Sequence, residues 1–177
     1  MTDHGTAVTR DTLRIERLLP GPIERVWRYL TDPALRATWL AGGTAEPQAG
    51  GAIELVFRNS ELTQDDDPPP EKYAHHAEES RLRGQVTDCR PPNLLAFSWG
   101  DSDEASHVRF ELEAIGDDVR LVVIHSRLAT RDAMLSVAGG WHTHLDILGD
   151  RLHERPSPGF WRTITRLERD YQERIPQ

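Results

Sequence analysis

With one cysteine, no basic cluster and no long apolar run, the chain is excluded from several protein classes before any motif is considered. Cys89 stands alone, so an internal disulfide is impossible, and no Cys/His spacing matches a zinc site. The net charge of −8 at pH 7 is spread without a basic patch, which argues against nucleic acid or an anionic membrane as partner. No apolar stretch approaches the roughly 20 residues that cross a bilayer. The polar opening MTDHGTAVTRDT lacks both the apolar core and the cleavage pattern of a secretory signal, so cytoplasmic residence is expected. No G-x-S-x-G elbow supplies a nucleophile, and Pro68, directly after Asp65-Asp66-Asp67, breaks the ligand spacing of a calcium loop.

What remains is a chain of 177 residues with ordinary hydrophobic and charged content, suited to one domain. Its organising stretch is Thr130 to Glu154, where Met134, Val137, Trp141, Leu145, Leu148 and Leu152 recur at helical spacing. All six fall within an arc of about 80°, with the charged residues off it, which predicts a long helix with one buried face. Thr130 is placed to cap its start, and Pro156 disfavours helix at Arg155. Gly139, Gly140 and Gly149 lie beside or opposite the stripe and suggest close approach or a bend.

The segments before it are strand-like. A tail over residues 1–10 is expected to be mobile, and Leu13, Ile15 and Leu19 then alternate as a first strand. Ile23, Val26, Trp27 and Leu30 form one short helix; Asp32 caps a second that carries Leu35 and Trp39 and ends at Gly42-Gly43. Four further alternations follow a strand through Ile53, Leu55 and Phe57. They run through Leu82 to Val86, Leu95 to Trp99, Val108 to Leu112, and Leu121 to His125, an antiparallel meander with one dry face. Asn59 to Ser80 interrupts the meander as a long polar loop. Phe160, Ile164, Leu167 and Tyr171 predict a last amphipathic helix, docked on the body or forming a homodimer interface. The domain proper is read as 11–155, with 156–177 as its helical extension.

Several constellations reduce to structural roles. His142 and Asp146 are four apart, but two ligands are too few for a metal, and His144 points about 160° from His142 on a helix. His142 is therefore expected to be solvated or capping, His75-His76 to be surface residues, Cys89 a structural thiol, and the Asp65–Asp67 run a solvated turn. No metal or cofactor is expected. His125 and Trp99 differ, because alternation puts both on the dry face. An imidazole buried there needs a partner, since leaving it unpaired costs on the order of 1–3 kcal/mol.

The order strand, two short helices, antiparallel meander, long helix resembles the helix-grip fold of START-type lipid-transfer domains and the birch-pollen allergen. LPGPIERVWRYLTDPALRATWL (Leu19 to Leu40), GQVTDCRPPNLLAFSWG (Gly84 to Gly100), LVVIHSRL (Leu121 to Leu128) and GGWHTHLDIL (Gly139 to Leu148) resemble the bacterial proteins named after the activator of the heat-shock-protein-90 ATPase. The resemblance runs from about Leu13 to His153. It implies an α+β domain whose sheet and long helix enclose an apolar pocket for a small hydrophobic or amphipathic ligand. Expected wall residues are Trp39, Leu55, Phe57, Phe97, Trp99, Phe110, His125, Trp141 and His144, with His125 as a neutral polar handle. Two alternatives stand beside binding: a cyclase or dehydratase that uses His125 as base, and a chaperone co-factor or interaction module.

Overall fold

Seven strands pair antiparallel into one curved sheet, in the order β1-β2-β7-β6-β5-β4-β3, in a computed structural model that describes residues 3–177. They are β1 (Thr6–Thr9), β2 (Thr12–Pro20), β3 (Ala52–Phe57), β4 (Ser80–Arg90), β5 (Leu94–Trp99), β6 (Ser106–Ile115) and β7 (Asp118–Ser126). The helices are α1 (Ile23–Thr31), α2 (Pro33–Arg36), α3 (Arg131–Leu152) and α4 (Phe160–Arg174). Strands β4 to β7 are the meander expected from alternation, and β2 returns beside β7 with Leu13 opposite His125 and Ile15 opposite Val123. Register shifts between Ala7 and Thr9 and between Val86 and Asp88 bend the sheet. This is the helix-grip arrangement.

The expected tail over residues 1–10 needs correction. Residues 1–2 lie outside the described residues, but Thr6–Thr9 forms edge strand β1 against β2, and the Gly5 amide donates to the Tyr171 hydroxyl at 2.7 Å. Thr6–Thr9 escapes a sequence reading because an edge strand that is largely exposed shows no apolar alternation.

The second short helix is also shorter than its sequence suggests. Asp32 caps it as expected, accepting from the Ala34 and Leu35 amides, but α2 ends at Arg36. The turn that follows keeps backbone bonds, from the Leu40 and Ala41 amides to the Arg36 carbonyl, and the buried Arg36 guanidinium donates to the carbonyls of Ala41, Gly42 and Gly43 beyond it. That turn fixes Trp39, whose ring is fully buried and whose indole N–H donates to the Tyr29 carbonyl at 2.8 Å.

Helix α3 starts on the expected cap, with the Thr130 hydroxyl accepting from the Ala133 amide. It stops at Leu152, just before Glu154 adopts a left-handed φ of 54°. Its stripe faces the sheet. The opposite side is buried as well, because α4 lies along it: Phe160, Trp161, Ile164, Leu167 and Tyr171 are all in the core. The apolar face that suggested a homodimer is thus used within the chain. Gly139 permits the approach, since a Cβ there would stand 2.8 Å from Glu168 Cγ. Gly140 has open space around it and Gly149 makes only ordinary contact, so neither marks a close approach.

Candidate functional site

Between α3, the ends of β3 to β5 and the Asn59–Ser80 segment lies a cavity of about 320 Å³, within the range of small-molecule sites. Phe57, Trp99, Trp141, Phe160 and Trp161 supply aromatic rings to its wall, with His125 and His144 among them. The inward alternation of β5 and β7 delivers Trp99 and His125, while the α3 stripe delivers Trp141. Their rings interlock, Trp141 lying 5.5 Å from Trp99 and edge-on to Phe110 at 5.6 Å.

The nine expected wall residues divide. Phe57, Trp99, His125, Trp141 and His144 line the cavity. Trp39, Leu55, Phe97 and Phe110 do not: they are fully buried in the core behind it, where other side chains cover them. Strand alternation names a face but not which part of that face stays open.

His125 also departs from its expected role. Its Nδ1 accepts from the Trp141 indole N–H at 3.0 Å, so Nε2 must carry the ring proton and donate to Ser106 Oγ at 2.8 Å. Burial, then the nearby charge of His107, pushes its pKa down to about 3, so the ring is neutral. Both nitrogens are held by protein. His125 therefore has no lone pair for a ligand or for general-base chemistry, and it serves to orient Trp141.

His144 has the arrangement expected of His125. Its Nδ1 lies 2.8 Å from the Trp39 carbonyl, its ring sits 5.0 Å from Phe160 and 6.3 Å from Phe57, and burial lowers its pKa to about 4. His142, expected in solvent, is 5% exposed and bonds through Nδ1 to the Tyr171 hydroxyl at 2.9 Å. It is buried because α4 covers the side of α3 opposite the sheet.

These elements belong to a recognisable lineage. Residues 20–153 match the family model described as activator of Hsp90 ATPase homolog 1-like protein. The chain belongs to this family. Among solved structures, the protein encoded by gene BPP1335 of Bordetella parapertussis is 44% identical, with a TM-score of 0.82 over 99% of this chain and 92% of that one. CalU16 from Micromonospora echinospora is 22% identical, with a TM-score of 0.69 over 94% of this chain and 89% of that one. A Rhodobacter sphaeroides protein is 24% identical, with a TM-score of 0.61 over 85% of this chain and 97% of that one. The last two likenesses speak for the fold alone. No curated protein matches the chain. Among the described residues, no helix is long and apolar enough to cross a membrane.

Onto this family's helix-grip body the Asn59–Ser80 segment folds as a strap, with 3₁₀ turns at Asn59–Glu61 and Glu71–His76. It brings Tyr73 and His76 to the cavity wall, positions no periodicity could indicate. Tyr73 donates to the Glu168 carboxylate, which Lys72 also reaches at 2.5 Å, so the strap is tied to α4. Asp65 and Asp67 of the acidic run are exposed as expected, but Asp66 is not simply solvated. Asp66 accepts from the Trp161 and Arg162 amides at 2.7 and 3.1 Å, capping α4 from a distant loop, and Asp67 pairs with Arg162 at 3.1 Å. Gly159 is required beside it, because a Cβ there would fall 2.3 Å from Asp66 Oδ1. Asp66→Ala is expected to cost about 1–2 kcal/mol in urea denaturation, as other lost N-caps do. A loss below about 0.3 kcal/mol would mean that the cap does not hold α4.

Proposed function

We propose that the chain binds a small hydrophobic or amphipathic molecule in the cavity under the strap. The observation that carries this reading is the cavity itself: about 320 Å³, walled by aromatic rings from the sheet, α3 and α4, with an imidazole among them. A ligand that fits such a cavity adds packing contacts and stabilises the folded chain. The cyclase reading named His125 as base, and that nitrogen's lone pair is already engaged by Trp141. Binding is therefore the better supported role. Chaperone partnership, which the family's name suggests, would draw on an outer surface and not on this cavity.

Native mass spectrometry of protein purified from cells is the test. A bound small molecule should appear as a mass excess that disappears on denaturation. Protein without such an excess, and whose unfolding midpoint is unmoved by a panel of small aromatic compounds, would overturn the proposal.

A further inference from the structure

Within the cavity, the Trp141, Trp161, Tyr73 and His125 groups are committed to the protein, whereas the Trp99 indole N–H and the His76 ring, also on the wall, have no partner among the described residues. The Trp141 indole N–H goes to His125, the Trp161 indole N–H to Ser60 Oγ at 2.9 Å, and the Tyr73 hydroxyl to Glu168. His125 uses both its nitrogens. His144 does not. It is 6% exposed, and its single bond runs from Nδ1 to the Trp39 carbonyl. A carbonyl can only accept, so the proton is on Nδ1 and the tautomer is fixed. The acceptor is rigid too, since the Trp39 ring is fully buried and anchored on the Tyr29 carbonyl. What remains is Nε2, an in-plane lone pair on a ring that lines the cavity, with no partner among the described residues.

Burial holds this imidazole neutral at physiological pH, so it cannot become a donor by taking up a proton. A second wall atom, Asn59 Oδ1, is also buried without a partner, but an amide can rotate to present either its oxygen or its NH₂. His144 has no such freedom while its Nδ1 is held. A ligand carbonyl, ether oxygen or carboxylate brought to Nε2 would set lone pair against lone pair, whereas a hydroxyl or N–H would satisfy it.

We propose that the cavity selects aromatic molecules carrying a hydroxyl or N–H, which they donate to Nε2 of His144, over molecules of the same shape that offer only acceptors. This deepens the binding reading and rests on it. The Arg81 guanidinium also lines the cavity, but it is paired with Glu79 at 2.9 Å and Glu54 at 3.0 Å, so it does not convert the preference into one for anions.

Isothermal titration calorimetry with β-naphthol, its methyl ether and β-naphthoate separates the possibilities, because the three probes share one ring system and differ in what they present. β-Naphthol should bind about tenfold more tightly than the ether, the worth of one good hydrogen bond, and naphthoate no more tightly than the ether. His144→Asn can keep the donation to the Trp39 carbonyl, because its amide nitrogen takes the place of Nδ1, while removing the Nε2 lone pair. The ratio of the naphthol and ether dissociation constants should then fall to about one, whatever the loss of ring contact does to both affinities. Nitrogen NMR of histidine-labelled wild-type protein gives an independent reading that needs no variant: the unprotonated His144 resonance should move with naphthol and stay with the ether. If all three probes bind wild-type protein equally, or if the naphthol preference survives in His144→Asn, the selectivity is overturned while the binding site stands. If none binds, both fall.

Discussion

Trp141→Ala is expected to lower the free energy of unfolding by about 3–5 kcal/mol in urea denaturation, without a change in slope. Two effects add. The first is the cavity left where a large ring filled the centre of the α3 stripe, packed on Trp99 and edge-on to Phe110. The second is the loss of the donor that satisfies His125 Nδ1, a nitrogen with no exposure to solvent. Trp141→Phe separates them, since it keeps most of the apolar contact and deletes the N–H; about 1–3 kcal/mol of the loss should survive in that variant. A total below 1 kcal/mol for the alanine variant would mean that the neighbouring rings collapse into the space. The existing cavity would then be a soft feature of the fold and not a formed site.

The contrast between Trp141 and His142 shows how far the sequence can be read. A helical period names the side of α3 that faces the sheet, because the sheet is the broadest apolar surface and its own alternation is visible in β5, β6 and β7. It does not reveal that a second helix, α4, starting at Phe160, covers the other side. His142 therefore looks solvated and is buried against Tyr171. Asp66 is the same kind of case. An acidic run before prolines has the composition of a wet turn, and its use as the cap of α4 depends on a contact across 95 residues. Arg36 hides differently, as a charge that serves only backbone carbonyls and so leaves no paired residue to find. For the cavity, alternation brings Trp99 and His125 to the correct face. Which of His125 and His144 keeps a free nitrogen is settled by partners at Trp39 and Ser106, distances in sequence that no local pattern reports.

The same buried histidines make this fold sensitive to acid. The pKa of His125 lies at about 3, of His142 at about 3 and of His144 at about 4, each lowered chiefly by burial. Around His142 the cations Arg17, Arg166 and Arg174, with His4, add to the effect, and His107 does so for His125. In the unfolded chain all three return to about 6.5. Below that pH the unfolded chain binds protons that the folded one refuses, so stability is full above about pH 6.5 and falls as pH drops toward the folded values. Each histidine contributes about 1.4 kcal/mol per pH unit in this window, and three together about 4 kcal/mol. Asp146 works the other way, because burial raises its carboxyl and the folded state takes its proton more readily, but it is one group against three. Between about pH 7.5 and about pH 5.5 the unfolding free energy in urea should therefore drop by about 4 kcal/mol, a large share of the 5–15 kcal/mol typical of a domain. His144→Asn removes one titrating group and should reduce the drop by about a third, which ties the effect to the buried rings and not to surface carboxylates. A drop below about 1 kcal/mol in the unsubstituted protein would mean that these imidazoles accept protons in the folded state, and the dry, neutral environment assigned to His144 would go with it.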